Sequence, residues 1–199
     1  LSRLLAERRL LDVPLAVPPG RVPDRVPVAW TVDQLGQLMA AARASTTVVD
    51  GVAVRVLFPA LISFLWETGE RVGAALDTAA ADYRRPCVLV RAESRKGTKR
   101  DRLYRLTAGT CDQLDELVAA GHGQLFPWPK SRGALWHVMR KLIRAAGLGG
   151  LKPRQGFHEI RRAAATHYAA AGGDAQRMLD HENARTTRRW YLDPRLADT

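Results

Sequence analysis

Two histidines, an arginine and a tyrosine share one alanine-rich stretch, FHEIRRAAATHYAAAGGDAQRMLDHENARTTRRWY at residues 157–191, and their types suit phosphate chemistry. Phe157, Ile160, Ala164, Tyr168 and Ala171 recur at helical period as an apolar stripe, and His158 and Arg161 stand at i and i+3 on its edge. An imidazole donor and a guanidinium fork converging from one helix face make a clamp for phosphate oxygens. By itself an HxxR pair also reads as the solvated edge of a core helix. His181 and Tyr191 close the stretch and add a further donor and an oxygen nucleophile. Tyr104 and Tyr168 are weaker rivals as nucleophiles, and Trp190 reads as an aromatic packed from a terminal helix. His122, His137 and His167 read as surface or packing histidines, since no ligand spacing favours zinc.

These side chains need a scaffold, and the pattern predicts a mainly helical one. Residues 1–11 place Leu1, Leu4, Leu5 and Arg8 at amphipathic spacing, and residues 13–27 then hold Pro14, Pro18, Pro19, Pro23 and Pro27 with Arg21 and Arg25 between them. Such a helix tail and semi-rigid basic strap are what the end of a preceding domain would leave, and the chain begins at Leu1 without an initiator methionine. Thr31 N-caps a helix to about residue 44, with Val32, Leu35, Leu38, Met39 and Ala42 inward. Residues 46–51 read as a loop, and residues 52–67 as a buried helix bent or restarted near Pro59. Thr68-Gly69 closes it, so Arg71 follows a tight turn and begins a short helix to Leu76.

The period then changes. Residues 87–91 and 102–106 are β-rich runs around a polar segment containing Lys96-Gly97-Thr98-Lys99-Arg100, an antiparallel hairpin with a basic tip. Helices are expected over about 107–120 and 131–146, with an extended connector at residues 124–129. Three more follow, from 157 to about 171, from the Gly172-Gly173 break to about 180, and from 184 to about 193.

The 31 Lys and Arg against 20 Asp and Glu give a formal charge of +11 and a sequence pI near 10.6. That balance favours a polyanion, nucleic acid ahead of an acidic membrane, through phosphate neutralisation and counterion release. Cys87 and Cys111 lie far apart without CxxC spacing, which points away from a disulfide framework or zinc cluster and towards a reducing, cytoplasmic, nucleoid-associated setting. The longest apolar run, residues 56–66, is interrupted by Pro59 and Ser63 and falls short of a membrane span.

Read together, ETGERVGAAL (67–76), RKGTKR (95–100), HEIRR (158–162), MLDH (178–181) and TTRRWY (186–191) resemble, in order and interval, the catalytic domain of tyrosine recombinases of the phage integrase family. The resemblance covers most of residues 30–194. It implies an α+β, mainly helical fold with a small antiparallel sheet, and a division into residues 1–27, the end of a core-binding domain with its linker, and residues 28–199, the catalytic domain. It further implies that Tyr191 attacks a DNA phosphodiester to leave a 3′-phosphotyrosyl link and a free 5′-hydroxyl. Arg71 and Arg161 match the arginine pair on the non-bridging oxygens. Lys96 matches the lysine that protonates the departing 5′-oxygen, with Lys99 in the same tip as its competitor. His158 matches the histidine that handles the tyrosine proton or contacts the phosphate, and His181 one that hydrogen-bonds it. Arg95, Lys99, Arg100 and Arg162 are then the expected DNA contacts.

Neither metal nor cofactor is implied, and transesterification conserves the bond energy. The partner implied is double-stranded DNA at a recombination site, with a tetramer on synapsed duplexes for the full-length protein; the catalytic domain alone is compatible with a monomer. The sequence departs from the family at Glu70, where an apolar residue is common, at Ala74, where an acid is usual, and at Asp180, where glycine is usual; the interval from Arg161 to His181 is also short. All six principal positions hold suitable residues, so an active enzyme for integration or excision of a mobile element is expected. The alternatives are a type IB topoisomerase-like or telomere-resolvase enzyme, or a DNA-binding module without turnover.

Overall fold

A computed structural model describes residues 26–95, 100–149 and 156–197. The helix expected over residues 1–11, the proline strap up to residue 25, and both Lys96 and Lys99 lie outside the described residues.

The first helix, Val32–Arg43 (α1), begins at Thr31 with the two reciprocal bonds of a capping box to Gln34. Leu35, Leu38 and Ala42 face inward, but Val32 is 60% exposed because the first turn projects beyond the edge of the core. Residues 46–51 are more ordered than a loop. Val48–Val49 (β1) pairs with Val52–Ala53 (β2) across Asp50 and Gly51, both at positive φ, as a two-residue hairpin requires.

Val54–Thr68 (α2) is the central helix and packs against α1 and two later helices. It runs unbroken through Pro59; the carbonyl deprived of its donor belongs to the exposed Arg55, near the start of the helix. Gly69 ends it at φ 63°, with its N–H on the Leu65 carbonyl. Val72–Leu76 (α3) follows at once, with Arg71 as its N-cap residue.

The expected hairpin is present with one strand more. Tyr83–Arg84 (β3), Cys87–Val90 (β4) and Arg102–Arg105 (β5) form an antiparallel sheet in sequence order, with Val88 opposite Tyr104. Ala108–Ala119 (α4) and Arg132–Ala145 (α5) are N-capped by Thr107 and Ser131. Gly156–Ala170 (α6) packs on α2 and α5; a Cβ on Gly156 would stand 2.8 Å from Ile143 Cδ1 and 2.9 Å from Met139 Cγ, so the α5 contact depends on glycine there. Ala175–Leu179 (α7) and Ala184–Trp190 (α8) come next. The last expected helix stops at Trp190, and Pro194–Ala197 (α9) returns to pack on α6.

Candidate active site

The main core runs from Ala29 to Ala163 beneath the site. A smaller cluster of Ala165, Ala175, Leu179 and Tyr191 seats the tyrosine between α6 and α7. Tyr191 is 8% exposed, whereas its neighbour Trp190 is 41% exposed. This reverses the expected packing role of Trp190: the helix ends between the two, and the tyrosine turns inward. Thr166, buried on α6, holds this end of the chain by donating to the Tyr191 carbonyl at 2.9 Å and accepting the Asp193 N–H at 3.1 Å. Asp193 is fully buried and takes the Ala29 N–H at 3.0 Å; bonds from Arg195, and then from Ala29, hold its carboxyl down at about 2.

Three sequence-derived residues surround the Tyr191 ring. The imidazoles of His181 and His158 lie 4.6 and 5.0 Å from it between ring centres, and the Arg161 guanidinium carbon is 5.5 Å from the ring centre. Arg161 is 2% exposed, and one arm of its fork donates to the Gly69 carbonyl. The other reaches the Leu179 carbonyl at 2.9 Å and His181 Nε2 at 3.4 Å. Its Nε is buried with no hydrogen-bond partner among the described residues. Arg71, Arg161 and His158 line one cavity of about 250 Å³ with Glu70, Val72, Trp136 and Phe157. His181 lines a more polar trough with Arg100, Arg102, Gln176 and Asp180.

The electrostatics follow from this crowding. Burial first, then Arg162, Arg161, Arg71 and His181, push the His158 imidazole down to about 4. Burial, then Arg161 and Arg71, do the same to His181, against the pull of Asp180. Both rings are therefore neutral near pH 7. Arg161 can only donate, so it faces the Nε2 lone pair of His181, and the ring proton sits on Nδ1, 2.9 Å from Thr187 Oγ1. Burial also lowers the Arg161 pKa, which marks a cation held where an anion would be welcome.

The short interval between Arg161 and His181 is spanned by a tightly held turn. Arg102 donates to the carbonyls of Arg177 at 2.9 Å and Met178 at 2.6 Å, and Arg161 takes that of Leu179. Arginines thus satisfy the C-terminal carbonyls of α7. Asp180 then turns the chain in the left-handed region at φ 55° and delivers His181.

Two expected DNA contacts are corrected. Arg95 is 5% exposed and bound to Glu70 Oε1 at 2.6 Å, so it supports the site from within rather than reaching outward. Arg162 spends its fork on Glu159 Oε2 at 2.7 Å, the Val28 carbonyl at 3.3 Å and the Trp190 carbonyl at 3.1 Å, tying the tyrosine's helix to α6. Burial raises the Glu159 pKa, against Arg162. Arg100 stays exposed. Of the rival tyrosines, Tyr104 donates its hydroxyl to Glu70 at 2.5 Å, and Tyr168 is 47% exposed. His167 packs on Trp66, while His122 and His137 are exposed. Ala74 is buried, and the carboxylate beside Arg71 comes instead from Glu70. Sequence reasoning missed Thr166, Thr187 and Arg102; of these, Thr187 was findable, one helical turn before Tyr191. Among the described residues no three His, Cys, Asp or Glu side chains gather as metal ligands do, and no helix is long and apolar enough to cross a membrane.

No curated protein sequence matches the chain. Solved structures share the fold. XerA recombinase superposes with a TM-score of 0.66 at 22% identity over 94% of this chain and 66% of its own. A lambda integrase dimer bound to a COC′ core site gives 0.71 at 18% identity, over 96% and 55%, and the catalytic domain of bacteriophage HP1 integrase gives 0.63 at 16%, over 85% and 91%. The chain thus spans about two thirds of XerA recombinase and about half of lambda integrase. The model of the phage integrase family matches residues 29–197, and with the fold in agreement the chain belongs to that family, as a tyrosine recombinase catalytic domain.

Proposed function

We propose that the protein is a site-specific recombinase that cleaves and rejoins DNA through Tyr191, in the integration or excision of a mobile element. The observation that carries this reading is the enclosure of the Tyr191 ring by His158, His181 and Arg161. The tyrosine hydroxyl attacks phosphorus and gives its proton to the neutral His158 imidazole. The 3′-phosphate becomes bonded to the tyrosine oxygen, and the 5′-oxygen leaves with a proton from Lys96 or, failing it, Lys99. Arg71 and Arg161 bear the charge of the pentacoordinate state, and the buried Arg161 Nε is one donor for it. His181 hydrogen-bonds the phosphate once it has taken up a proton at Nε2. Attack by another strand's 5′-hydroxyl reverses the step. Fixed cations occupy the places where a metal would act, so the proposed cycle uses none.

Double-stranded DNA is the proposed substrate, as it is for XerH recombinase, solved in a post-cleavage complex with its difH substrate. A tetramer is the proposed working assembly, as for lambda integrase on a Holliday junction. The test is covalent capture. The protein is incubated, with EDTA, with a library of nicked duplexes carrying a randomised core, and denaturation-resistant adducts are recovered and sequenced. Wild type is expected to enrich one site and Tyr191→Phe none. An adduct persisting in Tyr191→Phe, or none from wild type, would overturn the reading.

A further inference from the structure

Two of the sequence's departures from its family meet at one buried guanidinium. Arg95 gives its Nε to Glu70 Oε1 at 2.6 Å, while its Nη1 lies 3.1 Å from Asp180 Oδ2 and donates to the Arg100 carbonyl at 3.1 Å. Glu70 is 2% exposed; it also receives the Tyr104 hydroxyl, and its Oε2 takes the backbone N–H of Arg71 at 3.3 Å. Asp180 directly precedes His181 and holds a backbone conformation that favours glycine. A buried charge set of this kind costs desolvation and is retained where it fixes an arrangement.

We propose that Glu70, Arg95 and Asp180 are positioning residues, a network that holds the turn bearing Arg71 and the turn bearing His181 in register around one phosphate. The proposal rests on the reading of Arg71 and His181 as phosphate ligands. Glu70 fixes the first turn through the Arg71 N–H. Asp180 fixes the second, at the residue where Arg102 and Arg161 cease to hold the α7 carbonyls. Arg95 joins the two from the base of the hairpin.

The network is testable without DNA, by NMR titration of the His181 Cε1–H in the free protein. His181 is faced by Arg161 from α6, Arg71 from the α2–α3 turn, Asp180 and His158, and by Thr187 and Tyr191 from α8 and its end. Removing a carboxylate by itself lowers the imidazole pKa further, because Asp180 favours the charged form. Freeing the turn from its burial and its arginines raises it instead. In Asp180→Gly the His181 titration is therefore expected to rise from about 4 toward 6.5, with a thermal midpoint equal to or above wild type because the backbone strain is relieved. Glu70→Gln is expected to move it the same way; should that variant fail to fold, Asp180→Gly decides. A titration in Asp180→Gly that falls or stays put overturns the proposal. On captured DNA, Asp180→Gly is expected to cleave about 10–100-fold more slowly despite its stability, and a wild-type rate would also overturn it. Failure of wild type to cleave would instead count against the assignment of the site.

Discussion

His158 and His181 stay neutral because each is packed among cations and away from water, and that has a consequence for stability. Their pKa values are about 4 in the folded protein against 6.5 ordinarily. Between those limits the unfolded chain binds more protons, so stability rises with pH across the window and is lost as pH falls from about 6.5 toward 4. Thermal midpoints measured over that window are expected to drop with acid, and the drop should be shallower in His158→Gln or His181→Gln. An unchanged profile in both variants would show that the rings are not buried as described. At this scale the sequence was informative where spacing constrains neighbours: the i, i+3 relation of His158 and Arg161 needs only a helix. It was misleading for Arg95 and Arg162. Both look like surface cations in a basic run, and only the tertiary fold brings Glu70, Glu159 and the Trp190 carbonyl to them.

The elements matter because each delivers its side chain through a small irregularity. Gly69 shows the principle: at φ 63° it ends α2, its carbonyl accepts from Arg161, and an added Cβ would meet Met178 Cε at 3.1 Å. Gly69→Ala is therefore expected to cost about 1–2 kcal/mol from the left-handed backbone alone, measurable as a lower midpoint in urea, and more in cleavage than in stability because Arg71 and Arg161 both lean on this turn. Thr166→Val, which leaves the Tyr191 carbonyl without its donor, is expected to cost about 1–3 kcal/mol by the same assay. Helix positions were legible from caps and periodicity, as Thr31, Thr107 and Ser131 illustrate. Short-range signals were weaker. The Asp50-Gly51 hairpin reads as a loop when only the flanking valines are weighed, and β3 has just two residues with which to announce itself. The path from Gly172 to His181 could not be foreseen, since arginines from β5 and α6 hold it.

The charge of the whole molecule, +11, bears on how it meets DNA, and the structure separates cations that can contribute from those that cannot. Affinity for duplex DNA should fall linearly on a log–log scale with salt, by about 0.9 per phosphate neutralised. Only a side chain that reaches a phosphate changes that slope. Arg100 is exposed beside the trough that His181 lines, and Arg100→Ala is expected to reduce the slope by about one with the thermal midpoint unchanged. The Arg162 side chain is 17% exposed and engaged by Glu159. Arg162→Ala is expected to do the opposite, leaving the slope near wild type while lowering the midpoint, because it uncouples the tyrosine's helix from α6 and strands a buried carboxylate. Fluorescence anisotropy of a labelled non-cognate duplex between about 50 and 200 mM salt, paired with thermal melts, distinguishes the two. A slope lost in Arg162→Ala without a loss of stability would return that residue to the DNA-binding face.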